Sequence, residues 1–204
     1  MRLLPALAAL LLPAVLSGAA PSDPTETLKH ALLASQFLIA AYAMRYPRFQ
    51  NTVVVIVRHD RDGAMGIVIN RLAGEQLIAR LLEALGANAN GATGTGLVFV
   101  GGPVQLELGF VLHSTDYRRP ETVDVGRDVA LTATPEIFRD IAAMTGPQKS
   151  LLVFGYAGWG GLGQLKNELA RNAWYTAPLD SKLVFDADRD KIWELAIERR
   201  TRDL

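Results

Sequence analysis

A single α/β domain of the α+β kind, a mixed sheet flanked by about four helices, is what this sequence predicts. Half of its 204 residues are apolar, enough to bury one substantial core. Continuous β-branched runs, clearest in TVVVIVRH from Thr52 to His59, mark strands covered on both faces. Apolar stripes at helical spacing fall between the strands irregularly, without the repeating βαβ unit of a doubly wound sheet.

The chain opens with Met1-Arg2, an apolar stretch over residues 3–16 and the small residues Ser17-Gly18-Ala19-Ala20. This is the pattern of a secretory signal peptide over residues 1–20, short for a bilayer span. The mature protein is then periplasmic or secreted, with no stable membrane span after cleavage; a misassigned N-terminus would leave it cytoplasmic. Residues 21–34 read as a linker and short helix, and residues 35–204 as the domain.

Within the domain, residues 37–41 are apolar enough for a strand. Pro47 places a turn at residues 45–48, because it lacks a donor and pushes its predecessor towards extended geometry. Residues 52–59 and 64–70 form a hairpin around Asp60-Arg-Asp-Gly63. Residues 75–85 predict a helix burying Leu77, Ile78, Leu81, Leu82 and Leu85, ended by Gly86. A polar loop spans residues 87–96, and short strands follow at 97–100, 108–113, 121–125 and 129–132. Thr134-Pro135 gives an N-cap followed by Pro at the first helical position, and that helix runs to about Thr145. A strand at 150–154 leads into a glycine loop at 155–165 (GYAGWGGLGQL), and a helix opens at about Gln164. A strand at 182–185 and a helix at 188–199 close the chain.

Several function classes lose support here. Lys plus Arg equals Asp plus Glu at 21 each, whereas nucleic-acid binders usually carry a basic excess. The absence of cysteine excludes thiolate metal sites and a thiol nucleophile. His59, Asp60, Asp62 and His113 supply metal-ligand types without a ligating spacing, so no metal is expected. There is no nucleophile elbow and no Walker or dinucleotide glycine pattern, so no cofactor is expected either.

What remains is the glycine loop with its one large aromatic. Glycines after strand ends suggest loops gathered on one sheet edge, where such domains place a crevice. His59 and His113 each end a predicted strand. If those strands are neighbours, both imidazoles join Asn70, Gly158 and Trp159 around one hollow. Gln164, Glu168 and Asn172 recur at every fourth residue and complete a polar rim. Glycines that serve helix–sheet packing, histidines that are satisfied structural groups and a solvated helix face are the duller accounts of the same residues.

Three blocks, RHDRDGAMGIVINR, GGPV followed by GFVLH, and GYAGWG followed by GQL and NAW, occur in the order seen in the AlgH (YqgE-like) family of bacterial proteins. The resemblance covers about Ser35 to Ala196. It implies a compact domain with a partly barrel-like sheet, in a family mostly described as transcriptional regulators with no settled activity. Tyr42, Tyr46, Arg58, Leu108 and Lys166 depart from the family pattern, and one extra residue lies between Trp159 and Gly163. The expectation is therefore a non-catalytic binding or regulatory module that takes a small polar ligand or a protein partner in the glycine/tryptophan crevice. An enzyme using Glu168 with His59 or His113, and a DNA-associated regulator, are the alternatives.

Overall fold

The structure is a computed structural model that describes residue 33 and residues 35–161 and 163–200. The expected signal segment over residues 1–20, and all of the stretch 21–34 except Leu33, lie outside these.

Ten strands are described: β1 (Gln36–Ala40), β2 (Val53–Asp60), β3 (Gly63–Val68), β4 (Leu72–Leu77), β5 (Thr95–Val100), β6 (Val104–His113), β7 (Val123–Asp124), β8 (Ala130–Thr132), β9 (Ser150–Gly160) and β10 (Trp174–Pro178). The α-helices are α1 (Ile78–Ala84), α2 (Pro135–Ala142), α3 (Gln164–Ala170), α4 (Ser181–Phe185) and α5 (Ile192–Glu198). The main path of the sheet runs β10-β1-β2-β3-β9-β6-β8-β7, with the β4–β5 pair attached through β9. The pairing is antiparallel except for β5 against β9.

β9 explains the curl. Its first half, around residues 151–154, lies between β6 and β5, while residues 157–160 pair with β3. Gly155 breaks the strand between the halves with φ 72°. The sheet changes direction there and closes into a curled half-barrel, as the resemblance implied.

Alternation along the β1–β2 ribbon shows why its hydrophobicity is unbroken. Phe37, Ile39, Val53 and Val55 enter one core cluster with Leu183, Val184, Ile192 and Ile197 of α4 and α5. Leu38, Ala40, Val54 and Ile56 enter a second, with Trp159, Leu165 and Trp174. Each face is covered, so each position is worth about 1.5–3 kcal/mol on burial. A third cluster packs Ile78, Leu81 and Leu82 of α1 and Ile137 and Phe138 of α2 against Val98, Val111 and Leu152.

Several elements differ from expectation. Residues 75–77 are strand, because β4 pairs with β5 from Leu72↔Phe99 to Leu77↔Thr95; the helix starts only at Ile78, and Gly86 ends it with φ 69°. Residues 182–185 are helical, since the Asp180 side chain accepts from Lys182 N and caps α4. Residues 155–160 are strand rather than loop. β10 was not expected, yet all five of its residues pair with β1. Thr134 has extended backbone before Pro135, but its hydroxyl makes no capping bond. The last helix is a 3-10 turn at Arg189–Lys191 followed by α5.

Candidate functional site

The residues expected to form one hollow are spread over the length of the sheet. His59 is opposite Ala64, and Ala64 opposite Trp159. Opposed residues share a face, so the His59 and Trp159 side chains leave the same side of the sheet at one end. His113 is opposite Ser150, at the other end of β9 and beyond the change of direction at Gly155. The two imidazoles therefore do not converge.

Trp159 is 5% exposed and belongs to a packed core rather than to the floor of an opening. Its Nε1 donates to Glu168 Oε2 at 2.9 Å, and Trp174 Nε1 donates to the same oxygen at 2.8 Å. Gln164 Nε2 donates to Glu168 Oε1 at 3.2 Å, while Gln164 Oε1 accepts from Gly160 N at 3.0 Å. Glu168 and Gln164 thus clip α3 to β9 and β10. Gly158 is exposed on β9 opposite Met65. Asn172 does not share the helix face, because α3 ends at Ala170 and Asn172 adopts φ 53° beyond it. Asn70 ties the hairpin ends: its Oδ1 accepts from Val53 N at 3.0 Å and its Nδ2 donates to Asn51 O at 2.8 Å.

His113 is fully buried. Its Nδ1 faces the Ser114 carbonyl at 2.9 Å and its Nε2 the Thr132 hydroxyl at 2.9 Å. A carbonyl can only accept, so Nδ1 carries the proton and Nε2 accepts from Thr132. Thr132 in turn contacts Thr122 Oγ1 at 2.7 Å, which accepts from Arg119 N at 2.9 Å. Burial, the largest influence, holds the His113 pKa below its ordinary value. This is a satisfied structural histidine.

The described surface does hold a cleft, at a place sequence reasoning missed. It has a volume of about 250 Å³ and is lined by residues from β3, β5, the 3-10 turn Pro47–Phe49 and the chain between β5 and β6. Val68 and Val100 supply apolar surface, Gly102 and Pro103 form one wall, and Leu106 and the side chains of Arg48 and Arg71 complete the lining. Gly101-Gly102 is stitched between strands, with Val68 N donating to Gly101 O and Gly101 N to Phe154 O, both at 2.8 Å. A Cβ on Gly102 would lie 2.1 Å from the Tyr156 carbonyl carbon, so the wall can approach β9 this closely only as glycine.

Arg71 has two tasks. Its Nη2 donates to Pro47 O at 3.3 Å and Gln50 O at 3.2 Å, fixing the turn that carries Arg48. Among the described residues, its remaining guanidinium N–H groups have no partner, and neither has Arg48. No carboxylate of the described residues pairs with either arginine. An exposed Arg48 and a partly exposed Arg71 thus stand beside an apolar lining. Among the described residues no group of three or more His, Cys, Asp or Glu could hold a metal ion, and no helix is long and apolar enough to cross a membrane.

Both cleft walls come from blocks that carry the family resemblance, the Asn70-Arg71 end of one and GGPV of the next. A family model described as AlgH-like matches residues 37–204. The chain belongs to the AlgH-like family. A UPF0301 protein of Methylococcus capsulatus is 41% identical over 169 residues, covering 83% of this chain and 92% of that protein. A second, from Rhodospirillum rubrum, is 42% identical over 82% of this chain and 88% of its own length. The solution structure of the AlgH protein from Pseudomonas aeruginosa superposes with a TM-score of 0.71 at 39% identity, covering 89% of this chain and 92% of that one. A Corynebacterium diphtheriae protein, at 18% identity and a TM-score of 0.61 over 82% and 86% of the two chains, shares the fold. The names of the AlgH-like relatives bring a family without naming a ligand or a reaction.

Proposed function

We propose that this AlgH-like protein is a non-catalytic binding module that takes an anionic small molecule in the Arg48/Arg71 cleft. The observation that carries the reading is the pair of guanidinium groups, without an acidic partner among the described residues, beside the Gly101-Gly102 wall. The lining offers no carboxylate, imidazole or hydroxyl side chain, so it supplies binding and orientation but no group for proton transfer or nucleophilic attack. The enzyme alternative has less beneath it, since Glu168 is engaged by two indoles and His113 is buried.

Thermal unfolding of the purified protein in increasing inorganic phosphate tests the reading. Saturation at a hundred times Kd stabilises the folded state by about 2.7 kcal/mol, and added sodium chloride weakens the effect by screening. Arg48→Gln removes an exposed side chain with no partner among the described residues, so the fold survives and the stabilisation is lost. An unchanged response in that variant contradicts the assignment.

The compartment belongs to the same proposal. Export through residues 1–20 places the cleft outside the cytoplasm, where a DNA-associated role is closed to it. Fractionation with N-terminal sequencing of the mature chain decides this, and an uncleaved cytoplasmic protein would reopen the regulator alternative.

A further inference from the structure

Deepening the anion-binding reading, on which it rests, we infer that the cleft selects a phosphomonoester of a short apolar group rather than a free anion or a simple carboxylate. Two observations specify the two ends of such a ligand. Arg48 and Arg71 present two positive charges with no carboxylate between them. A phosphomonoester carries close to two negative charges near neutral pH and offers three acceptor oxygens, whereas a carboxylate balances one guanidinium and leaves the other unmatched.

The apolar end follows from what adjoins the arginines. Val100 is 36% exposed and Leu106 57% exposed, and both line the cleft. Leu106 is there because β6 leaves its register with β9: Val104 is opposite Tyr156, but the next pair is Gly109 with Phe154. Gln105 turns the chain with φ 46°. Leu106 then lies over Gly155, where an added Cβ would meet its Cδ2 at 3.0 Å. Val100 is tied directly to the charged wall, its N donating to Arg71 O at 2.8 Å. The apolar lip and the guanidinium pair are thus one surface, and a ligand filling only the charged half leaves the two side chains in water.

The apolar group is short because Val100 and Leu106 are the exposed apolar side chains of the lip.

Calorimetric titration of the full chain with inorganic phosphate, then methyl, ethyl, propyl, butyl and hexyl phosphate, and propionate and butyrate, tests this. Affinity is expected to rise up to about fourfold per methylene and to level off once the chain has covered Val100 and Leu106. The carboxylates should bind at least tenfold more weakly than phosphates of the same length. Leu106→Ser, at a position 57% exposed, should flatten the chain-length series, lowering the gain per methylene far more than it changes the affinity for inorganic phosphate. Arg48→Gln should weaken the whole series in parallel. Equal affinity for phosphate and its alkyl esters overturns the apolar half and leaves the anion site standing. Carboxylates that match the phosphates overturn the dianion half. If no anion binds, the anion-binding reading itself falls.

Discussion

Trp159 and Trp174 meet edge to face with ring centres 5.9 Å apart, and their indole N–H groups share one acceptor, Oε2 of Glu168. Three elements distant in sequence or direction, β9, β10 and α3, are fastened by that oxygen. Glu168→Ala leaves two indole donors in a packed core with no protein acceptor, each costing about 1–3 kcal/mol. Urea unfolding should show a loss of about 2–5 kcal/mol, and Glu168→Gln, which keeps a carbonyl oxygen, a loss of about 1 kcal/mol. An unaffected Glu168→Ala midpoint would show that water replaces the carboxylate fully.

Gly63 separates steric from conformational strain. It adopts φ 136°, and a Cβ there would stand 2.0 Å from the Trp159 carbonyl oxygen; Gly74 adopts φ 135° with nothing within 4 Å. Gly74→Ala should cost about 1–3 kcal/mol from backbone strain alone. Gly63→Ala adds a backbone clash and should cost more than about 4 kcal/mol, which marks an exceptional substitution. Melting temperatures of the two variants give the comparison directly.

His113 makes stability depend on pH with a definite sign. Its folded pKa lies below the ordinary value of about 6.5, so the unfolded chain takes up the proton first as pH falls. The stabilisation is complete above about pH 6.5 and is lost progressively below it, until the folded imidazole protonates too. Protonation would also place a donor on Nε2, where Thr132 now donates, and reverse the bonds through Thr122. Unfolding free energies between pH 8 and pH 4.5 should fall more steeply in the wild type than in His113→Gln.

Asp140 anchors the chain ahead of β7. Its Oδ2 accepts from Tyr117 Oη at 2.6 Å and from Arg119 Nε at 3.1 Å, with Arg119 Nη2 paired to it as well. Asp140→Asn should cost about 1–3 kcal/mol and increase amide exchange over residues 114–122, leaving β1–β3 protected.

How far the sequence could be read depended on whether a residue's neighbours were local. The β2–β3 hairpin was legible because β-branched side chains and turn residues are adjacent in the chain. Gly86 was legible as a helix stop, since only a left-handed residue closes that turn. β4 was not, because an edge strand with exposed Leu72 and Leu77 has no inward alternation, and its leucines continue smoothly into the α1 stripe. The 182–185 segment, Lys-Leu-Val-Phe, is short and apolar enough to read as a strand until Asp180 caps it as a helix. The glycine block looked like a loop because glycine is common in loops; here it permits close strand contacts. The cleft was the least legible part. Arg48 and Arg71 matter because no acid among the described residues pairs with them, a fact about absent neighbours that no local pattern carries.

β9 holds hydrogen bonds to β3, β5 and β6 along its eleven residues. A strand owned jointly by both arms of the sheet leaves neither arm self-sufficient. Cutting or lengthening the chain near Gly155 would therefore dissolve the whole molecule in one concerted step, and insertions would be tolerated only where this shared spine is spared.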